Sequence, residues 1–269
     1  MTGMNDAARL DAGIRYTKDG PLARVTIDRP QVRNALSRAA HAALSSVWDE
    51  IRDDPDVRVA ILSGAGTKAF CAGTDLKDPE AKNGVPYLWD GPRLGAGGLS
   101  FRRDLLKPVI AAVNGLALGT GFELALACDL IVAAEHAEFG FPEPRVGYMA
   151  LDGGIAMLTR QIPYKAAMGI LLTGRRVSAR EGHAAGFVNE VAPSDQLLAA
   201  AERWAADIVA CAPLSVEGTK QIAMEGRDLP AWAAPRWFPR RVMEAVASED
   251  AEEGTSAFRE KRPPRWKGR

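Results

Sequence analysis

Residues that could do chemistry are concentrated in positions 108–129, which read PVIAAVNGLALGTGFELALACD. Gly119, Thr120 and Gly121 predict a tight bend that leads into a helix, and such a bend leaves backbone N–H groups unpaired at the positive end of the helix dipole. Those N–H groups could hold an oxygen atom that becomes negative during a reaction. Glu123, in the first turn of the predicted helix, adds a carboxylate beside them. These residues are explained equally well by a glycine bend used only for close packing, with the Glu123 carboxylate interacting favourably with the positive end of the helix dipole.

Composition narrows the classes of protein to consider. The chain has 269 residues with 34 basic and 34 acidic side chains, so its formal net charge of zero gives no overall attraction to nucleic acid or anionic membranes. Its longest apolar stretch is interrupted by Asn114, Glu123 and Asp129, which argues against a membrane-spanning segment. The first residues, MTGMNDAARLDAG, lack the order of a signal peptide. We therefore expect a cytoplasmic protein with a frayed N-terminus and with neither a nucleic-acid nor a membrane partner.

The cysteines and histidines form no recognisable metal or nucleophilic site in the sequence. The three cysteines lie far apart without a CxxC pair, which predicts reduced, packed side chains and argues against zinc: Cys71, Cys128 and Cys211. The three histidines have no nucleophile or metal-ligand set nearby, and we assign them structural or surface roles: His41, His136 and His183.

The order of predicted elements indicates the fold class. Apolar and β-branched runs predict strands at residues 23–28, 57–62, 109–113 and 130–134. Helical spacing of apolar residues predicts helices at residues 37–52, 155–161, 163–172, 178–185 and 194–210. Strand, strand, helix recurs at least twice, which favours an α/β protein with stacked layers of parallel sheet and helices outside. The remainder is predicted to be helical with proline breaks, packed on its own body or on a neighbouring subunit.

Three segments together are similar to the crotonase family, also called the enoyl-CoA hydratase/isomerase superfamily. They are KAFCAGTDLKD at 68–78, NGLALGTGFELALACD at 114–129 and AEFGFPEPRVG at 137–147, supported by RPQVRNALS at 29–37 and EGTSAFREKRPPRW at 253–266. The resemblance therefore spans nearly the whole chain. It implies a crotonase-like spiral of ββα repeats in a catalytic domain at 1–195, followed by a helical C-terminal trimerisation region at 196–269. It also implies a homotrimer or a dimer of trimers, and an acyl-CoA thioester as substrate without a metal or redox cofactor.

The resemblance also implies catalytic roles for four residues. The backbone N–H groups of Thr74 and Thr120 correspond to the oxyanion hole, where two fixed donors would stabilise the enolate of the thioester. Family members that add water use two glutamates, and both positions are filled here, by Glu123 and Glu143. We assign Glu143 to the α-carbon proton and Glu123 to the water, with the pair acting together. A surface or helix-end carboxylate is the structural alternative for each glutamate.

The resemblance places the nucleotide end of the CoA against a second group of residues. These are Arg33, Ala35, Ala72 and Leu76, together with Phe258 and Lys261 from a neighbouring subunit. Arg and Lys side chains are suited to the phosphates, although solvent-facing charges explain Arg33 and Lys261 about as well. The acyl pocket is expected to be lined from residues 77–100, where Tyr87, Leu88 and Trp89 offer apolar surface.

One loop departs from the pattern of hydratases and leaves the reaction open. Leu151 falls where many hydratases have a glycine beside the reacting water. Asp152 lies one position past a catalytic aspartate of some isomerases and dehalogenases in the family, and a cap for the following helix explains it at least as well. We expect an enoyl-CoA hydratase that adds water reversibly, with syn geometry, to a trans-2-enoyl-CoA and gives the 3-hydroxyacyl-CoA. An isomerase, a specialised hydrolase or C–C cleaving enzyme, and an inactive CoA-binding oligomer that recruits partners are the alternatives.

Overall fold

A computed structural model describes residues 6–79, 94–227, 229–230, 232–233 and 236–269. The predicted acyl-pocket residues Tyr87, Leu88 and Trp89 lie outside this part of the chain. Within it, no helix is both long and apolar enough to cross a membrane.

The described residues form two sheets with helices around them. The strands are β1 (Ile14–Asp19), β2 (Leu22–Ile27), β3 (Val59–Gly64), β4 (Ala69–Cys71), β5 (Val109–Val113), β6 (Leu116–Leu118), β7 (Leu130–Ala134), β8 (Glu138–Gly140), β9 (Arg176–Ser178) and β10 (Glu190–Ala192). The α-helices are α1 (Asp6–Asp11), α2 (Arg38–Asp53), α3 (Thr120–Ala127), α4 (Gly154–Gln161), α5 (Tyr164–Thr173), α6 (Ala179–Ala185), α7 (Leu197–Val209), α8 (Pro213–Gly226), α9 (Arg240–Val246) and α10 (Glu249–Glu260).

Consecutive strands alternate between the two sheets from β3 to β8. One sheet has the order β1-β2-β3-β5-β7-β10 and the other has the order β4-β6-β8-β9. The pairs β2–β3, β3–β5, β5–β7 and β7–β10 are parallel, as are β4–β6 and β6–β8. The first pair, β1–β2, and the last pair of the smaller sheet, β8–β9, are antiparallel. The pairs β5–β6 and β7–β8 thus each add one strand to each sheet before an α-helix follows, which is the ββα repeat that the resemblance implied.

Close backbone contacts hold the corners where the chain passes from one sheet to the other. The side chain of Asn114 accepts a hydrogen bond from the N–H of Gly64 at 3.0 Å and donates one to the carbonyl of Gly66 at 2.6 Å. A Cβ on Gly115 would lie only 2.5 Å from the carbonyl group of Lys68, so only glycine fits there. The Asn-Gly pair therefore ties two successive corners of the spiral together.

Apolar residues from the strands and helices form one continuous core. All five residues of β5 are buried, as expected for a parallel strand covered on both faces. Helix α2 turns Leu44, Val47 and Trp48 inward, and the indole N–H of Trp48 donates to the carbonyl of Gly97 at 2.9 Å. Helix α7 packs against β3, β5 and β7. The core therefore covers the strands that carry the central motif on both sides.

The described part of the chain after β10 contains helices and no strand, as predicted. Helices α8 and α9 pack on each other, and α10 is tied to the chain end by ion pairs between Arg262 and Glu253 at 2.6 and 2.9 Å. The carboxylate of Asp250 accepts hydrogen bonds from the N–H groups of Lys267 and Gly268. The division into a catalytic domain and an oligomerisation region at residue 195 remains a prediction.

Two expectations from the sequence were wrong. The N-terminus is not frayed from residue 6 onward, because α1 forms there and the buried Arg9 pairs with Glu50 at 2.6 Å. Cys71 and Cys128 are buried as expected, whereas Cys211 is exposed just beyond α7.

Strands β1, β9 and β10 were not predicted from the sequence. Only one residue of β1 is buried, and β9 and β10 have three residues each. Their signals are too short or too polar for periodicity to find.

A test of the packing between α3 and β4 uses Gly121. A Cβ at this position would collide with the carbonyl oxygen of Cys71. That oxygen is a backbone atom, so it cannot move aside as the end of a flexible side chain could. We expect Gly121→Ala to lower the free energy of unfolding by about 3 kcal/mol, because the start of α3 must move away from the sheet.

A matched control is Gly169→Ala in α5, where a Cβ would meet no atom within 4 Å. This change should raise stability by about 0.5 to 1 kcal/mol, since alanine is the better helix former. Urea unfolding of both variants measures the difference. Equal stability of the two variants would contradict the close contact.

Candidate active site

The predicted catalytic residues face one cavity of about 400 Å³. It lies where the chain leaves β4, where α3 begins, and along the segment that follows β8. The charged groups among its described lining residues are three carboxyls, those of Glu123, Glu143 and Asp152, and this part of the wall contains no Lys, Arg or His. The remaining wall is backbone, threonine and apolar side chains.

The N–H of Thr74 points away from the neighbouring chain segment at Leu36, with which Thr74 forms an isolated β-bridge. The N–H of Leu36 donates to the carbonyl of Gly73 at 2.8 Å, and the N–H of Asp75 donates to the carbonyl of Leu36 at 2.9 Å. Because successive N–H groups of an extended chain point to opposite sides, the N–H of Thr74 faces away from Leu36. Its residue lines the cavity.

Thr120 brings the second backbone donor. Gly119 precedes α3 with φ of 54°, and its N–H donates to the carbonyl of Gly140 at 2.9 Å. Thr120 is then the first residue of α3, where an N–H has no partner within the helix. None of the hydrogen bonds between described residues uses the N–H of Thr74 or Thr120. The two side-chain hydroxyls are hydrogen-bonded to each other, with 2.9 Å between their Oγ1 atoms.

Glu123 is a buried carboxyl on α3. Its residue is 2% exposed, and its Oε1 accepts a hydrogen bond from the N–H of Gly154, the first residue of α4, at 3.0 Å. Burial, followed by the negative charge of Asp152, raises the pKa of Glu123 to about 8. Glu143 raises that pKa further, while the hydrogen bond from Gly154 lowers it. Glu123 therefore keeps its proton to a higher pH than an ordinary carboxyl does.

Glu143 approaches the same cavity from the other side. It begins a short 3-10 helix, Glu143–Val146, and its Oε1 lies so close to Gly119 that a Cβ there would be 2.5 Å away. Its Oε2 is buried without a hydrogen-bond partner among the described residues. Burial raises the pKa of this carboxyl as well. A buried carboxyl oxygen without a partner is suited to exchange a proton with a ligand.

Aromatic packing fixes the two glutamates relative to each other. Phe122, next to Glu123, stacks on Phe141 with 4.7 Å between ring centroids, and Phe141 lies two residues before Glu143. A Cβ on Gly154 would lie 2.6 Å from the ring of Phe141 and 2.8 Å from the Cγ of Glu123. Glycine at this position thus allows α4 to approach both the aromatic pair and the carboxylate that accepts its N–H.

The loop that departs from the hydratase pattern forms one wall of the cavity. Gly153 is the N-cap residue of α4, so Asp152 does not hold the cap position that the sequence analysis considered for it. Asp152 is instead 5% exposed beside Glu123. Leu151 is 38% exposed and lines the cavity, as expected of a side chain near the reacting carbons. Sequence reasoning missed the nearby wall residue Met149, for which an apolar residue in a loop was the available signal.

Two of the four residues predicted to bind the nucleotide end of CoA line the cavity, and a third is hydrogen-bonded to one of them through its backbone. Ala72 and Leu76 line it, and Leu76 is 77% exposed. The N–H of Ala72 donates to the carbonyl of Arg33 at 3.1 Å, and Arg33 is exposed. Ala35 is adjacent, and its carbonyl accepts from the guanidinium of Arg29. The arrangement gives an exposed cation and an exposed apolar side chain near the cavity.

Two further predicted residues lie outside the described wall of the cavity. Phe258, on α10, is 86% exposed, and Lys261 ends that helix with φ of 54°. Their assignment to the site of a neighbouring subunit remains a prediction.

Comparison with known proteins identifies the class of protein. The model of the enoyl-CoA hydratase/isomerase family matches residues 17–269. The chain therefore belongs to the enoyl-CoA hydratase/isomerase family, the crotonase superfamily. Family and fold, with its α/β spiral and C-terminal helices, agree with the resemblance found in the three sequence motifs.

Individual relatives cover the chain almost completely. A carnitinyl-CoA dehydratase from Salmonella arizonae is 41% identical over 263 residues, or 96% of this chain and 100% of that protein. The enoyl-CoA hydratase structure from Mycobacterium tuberculosis H37Rv has a TM-score of 0.86 at 37% identity, covering 96% of this chain and 100% of the other. The enoyl-CoA hydratase structure from Bacillus anthracis has a TM-score of 0.89 at 33% identity, with the same coverage.

The influence of Asp152 on Glu123 can be measured directly. We expect Asp152→Asn to move the titration midpoint of Glu123 from about 8 to lower pH, because the variant removes a negative charge that favours the protonated form. NMR titration of a protein labelled with carboxyl-¹³C glutamate follows the midpoint, and Glu123→Gln identifies the signal.

The pH dependence of stability gives a second measurement with a definite sign. The pKa of Glu123 is higher in the folded protein than its usual 4.5, so protonated Glu123 stabilises the fold, and this stabilisation is lost as pH rises from about 4.5 to about 8.

Asp56→Asn is the control for the NMR titration. The titration midpoint of Glu123 should stay in place in this variant, which changes an exposed carboxylate on another part of the surface. An unshifted midpoint in Asp152→Asn would contradict the electrostatic coupling.

Proposed function

We propose that this protein is a hydro-lyase that interconverts a trans-2-enoyl-CoA and a 3-hydroxyacyl-CoA by reversible syn addition of water. The observation that carries the proposal is the presence of two carboxyls, the buried Glu123 and the half-buried Glu143, on the cavity that also holds the start of α3 and the Thr74 backbone. Addition of water requires both proton transfer and stabilisation of an enolate, and this site offers residues for each. The chemistry needs no metal or redox cofactor, since only the elements of one water are added and no electrons are transferred to or from the substrate.

The oxyanion hole is assigned to the N–H groups of Thr74 and Thr120. As water adds to the β-carbon, negative charge develops on the thioester oxygen, and two fixed donors stabilise it more in the transition state than in the ground state. Neither N–H has a competing partner among the described residues, so no protein hydrogen bond in this region must break when the substrate binds.

The two glutamates divide the proton transfers between them. In hydration, Glu123 takes a proton from the attacking water and Glu143 delivers one to the α-carbon, and in dehydration each step is reversed. The hydrogen bond from Gly154 holds the carboxyl of Glu123 in position at the cavity. The unpartnered Oε2 of Glu143 supports its assignment to the α-carbon.

The acyl group is expected to be neutral or positively charged. The described wall of the cavity carries three carboxyls and no basic side chain, so an acyl group with its own carboxylate would be repelled. Relatives named carnitinyl-CoA dehydratase support dehydration of a 3-hydroxyacyl-CoA, and carnitinyl-CoA, whose acyl group carries a quaternary ammonium, belongs in the substrate panel. We further assign Arg33, Ala35, Ala72 and Leu76 to the nucleotide end. Phe258 and Lys261 would reach it from a neighbouring subunit of a trimer or a dimer of trimers.

The catalytic assignment predicts a large effect of two isosteric changes. Glu123→Gln and Glu143→Gln should each lower turnover by about 10² to 10⁴ while the protein stays folded, because each removes one proton-transfer group. The assay follows loss of the conjugated enoyl absorbance of crotonyl-CoA, of longer and aryl 2-enoyl-CoAs, and of the 2-enoyl-CoA that dehydration of carnitinyl-CoA would give. The products are identified by mass.

Glu135→Gln is the matched control, since Glu135 is exposed and outside the described wall of the cavity. It should retain the activity of the parent protein. Full hydration activity in both Glu123→Gln and Glu143→Gln would overturn the mechanism.

A double-bond isomerase is the second candidate, and Leu151 is the observation that favours it. Its side chain stands in the cavity wall, where it would occupy space needed by the reacting water. An isomerase moves one proton and needs no water. Conversion of a 3-enoyl-CoA without a water adduct on any 2-enoyl-CoA would select this candidate. Binding of acyl-CoA with no turnover of any thioester would select an inactive CoA-binding protein instead.

A further inference from the structure

We propose that the hydroxyl pair of Thr74 and Thr120 supplies a third hydrogen-bond donor to the thioester oxygen, in addition to the two backbone N–H groups. The inference rests on the proposed function in one respect, namely that a thioester carbonyl occupies this site. It assigns a catalytic role to two side chains, whereas the oxyanion hole itself needs only the backbone of these residues.

A count of protons shows that the pair has a donor to spare. The two Oγ1 atoms are 2.9 Å apart, which is a hydrogen bond in which either hydroxyl can be the donor. Two hydroxyls carry two protons, and their mutual bond uses one of them. No other hydrogen bond of either hydroxyl is formed with the described residues, so the second proton is left for a ligand.

Covalent geometry keeps this proton near the backbone donors. The Oγ1 of a threonine is three bonds from its own backbone nitrogen, so the two atoms are always roughly 3 to 4 Å apart. The two backbones are also adjacent, since a Cβ on Gly73 would lie 3.8 Å from the nitrogen of Thr120. Both residues also line the cavity, so the hydroxyl pair and the two N–H groups belong to the same wall.

The surroundings strengthen such a donor. Thr120 is 7% exposed and Thr74 is half-buried, and both line the cavity. Water competes poorly in such a site, and the acceptor hydroxyl of a hydrogen-bonded pair is polarised into a better donor. A negative oxygen is the acceptor that gains most from it, so the third donor acts mainly on the enolate.

A structural brace is the competing interpretation, and single and double variants separate the two. In Thr74→Val or Thr120→Val the remaining hydroxyl keeps a free proton and can still donate, whereas the double variant has no hydroxyl. If the pair is only a structural brace, either single change already breaks the hydrogen bond between the two hydroxyls, so each single variant should be as impaired as the double variant. The donor thus predicts small single effects and a large double effect.

The experiment measures polarisation of a bound carbonyl without requiring turnover. The probe is the CoA thioester of 4-dimethylaminocinnamic acid, whose absorption band moves to longer wavelength as its carbonyl is polarised. Parent protein, both single variants and the double variant are saturated with the probe, and kcat/KM for 2-enoyl-CoA hydration is measured in parallel. Thr74→Ser/Thr120→Ser tests rescue, and Thr219→Val, which removes an exposed hydroxyl on α8, is the control.

We expect the single variants to keep most of the red shift and to lose less than about fivefold in kcat/KM. The double valine variant should lose a clear part of the shift and about 10- to 100-fold in kcat/KM, with recovery in the double serine variant. Parent-like shift and activity in the double valine variant would overturn the proposal, as would single variants as impaired as the double. If the valine pair fails to fold by circular dichroism, Thr74→Ala/Thr120→Ala is measured in its place.

Failure of the proposed hydration is distinguishable from failure of this inference. A parent protein that polarises the probe, and a double variant that does not, retain the third donor even if no enoyl-CoA is hydrated. Active hydration with an unchanged shift in the double variant would keep the proposed function and remove the third donor.

Discussion

The site depends on direct contact between two backbone segments that are far apart in the sequence. The first turn of α3 rests on the carbonyl of Cys71 at the end of β4, with Gly121 allowing the approach. This contact sets the separation between Thr74, which follows β4, and Thr120, which is the first residue of α3. Because β4 and β6, the strands that precede these two residues, pair in parallel, the hydrogen bonds between the two strands also fix this geometry. A hydrogen bond to two backbone donors tolerates little change in their spacing, so the packing of the spiral is itself part of the site.

Burial has opposite consequences for stability and for chemistry at this site. Taking Glu123 and Glu143 out of water raises the pKa of both carboxyls, so that ionising either one at high pH costs folding free energy. The same removal of water moves both pKa values towards the pH range in which a carboxyl can both give and take a proton. Gly154 and the Phe122–Phe141 stack hold the carboxyls in place without neutralising them through a basic partner. Among the described residues, burial therefore does most to raise these pKa values.

The sequence was most informative where elements are long and buried. The β5–β6–α3–β7 segment could be predicted almost to the residue, because apolar strands bounded by Asn114-Gly115 and a glycine-rich bend have few alternatives. The polar edge strand β1 and the three-residue strands β9 and β10 lack any periodic signal, since pairing with neighbours creates them. The positions of Glu123, Glu143, Thr74 and Thr120 followed from motif order, and the structure brings all four to one cavity. The hydroxyl contact between residues 46 positions apart, and the burial of Asp152, required the folded chain.

Asp152 gives the proposed reaction a preferred arrangement of protons. Hydration needs Glu123 ionised and Glu143 protonated, and dehydration needs the reverse, so the two directions use the same total charge with the proton on a different carboxyl. The negative charge of Asp152 raises the pKa of Glu123, whereas it is not among the causes that raise the pKa of Glu143. The proton therefore favours Glu123, where it can be given to a leaving hydroxyl while Glu143 removes the α-proton. The equilibrium between the two thioesters is unchanged by this bias, but the free enzyme is prepared for the 3-hydroxyacyl substrate. The buried carboxyl of Asp152 thus acts on the direction of the proposed reaction for which the resting site is ready, through its charge on Glu123.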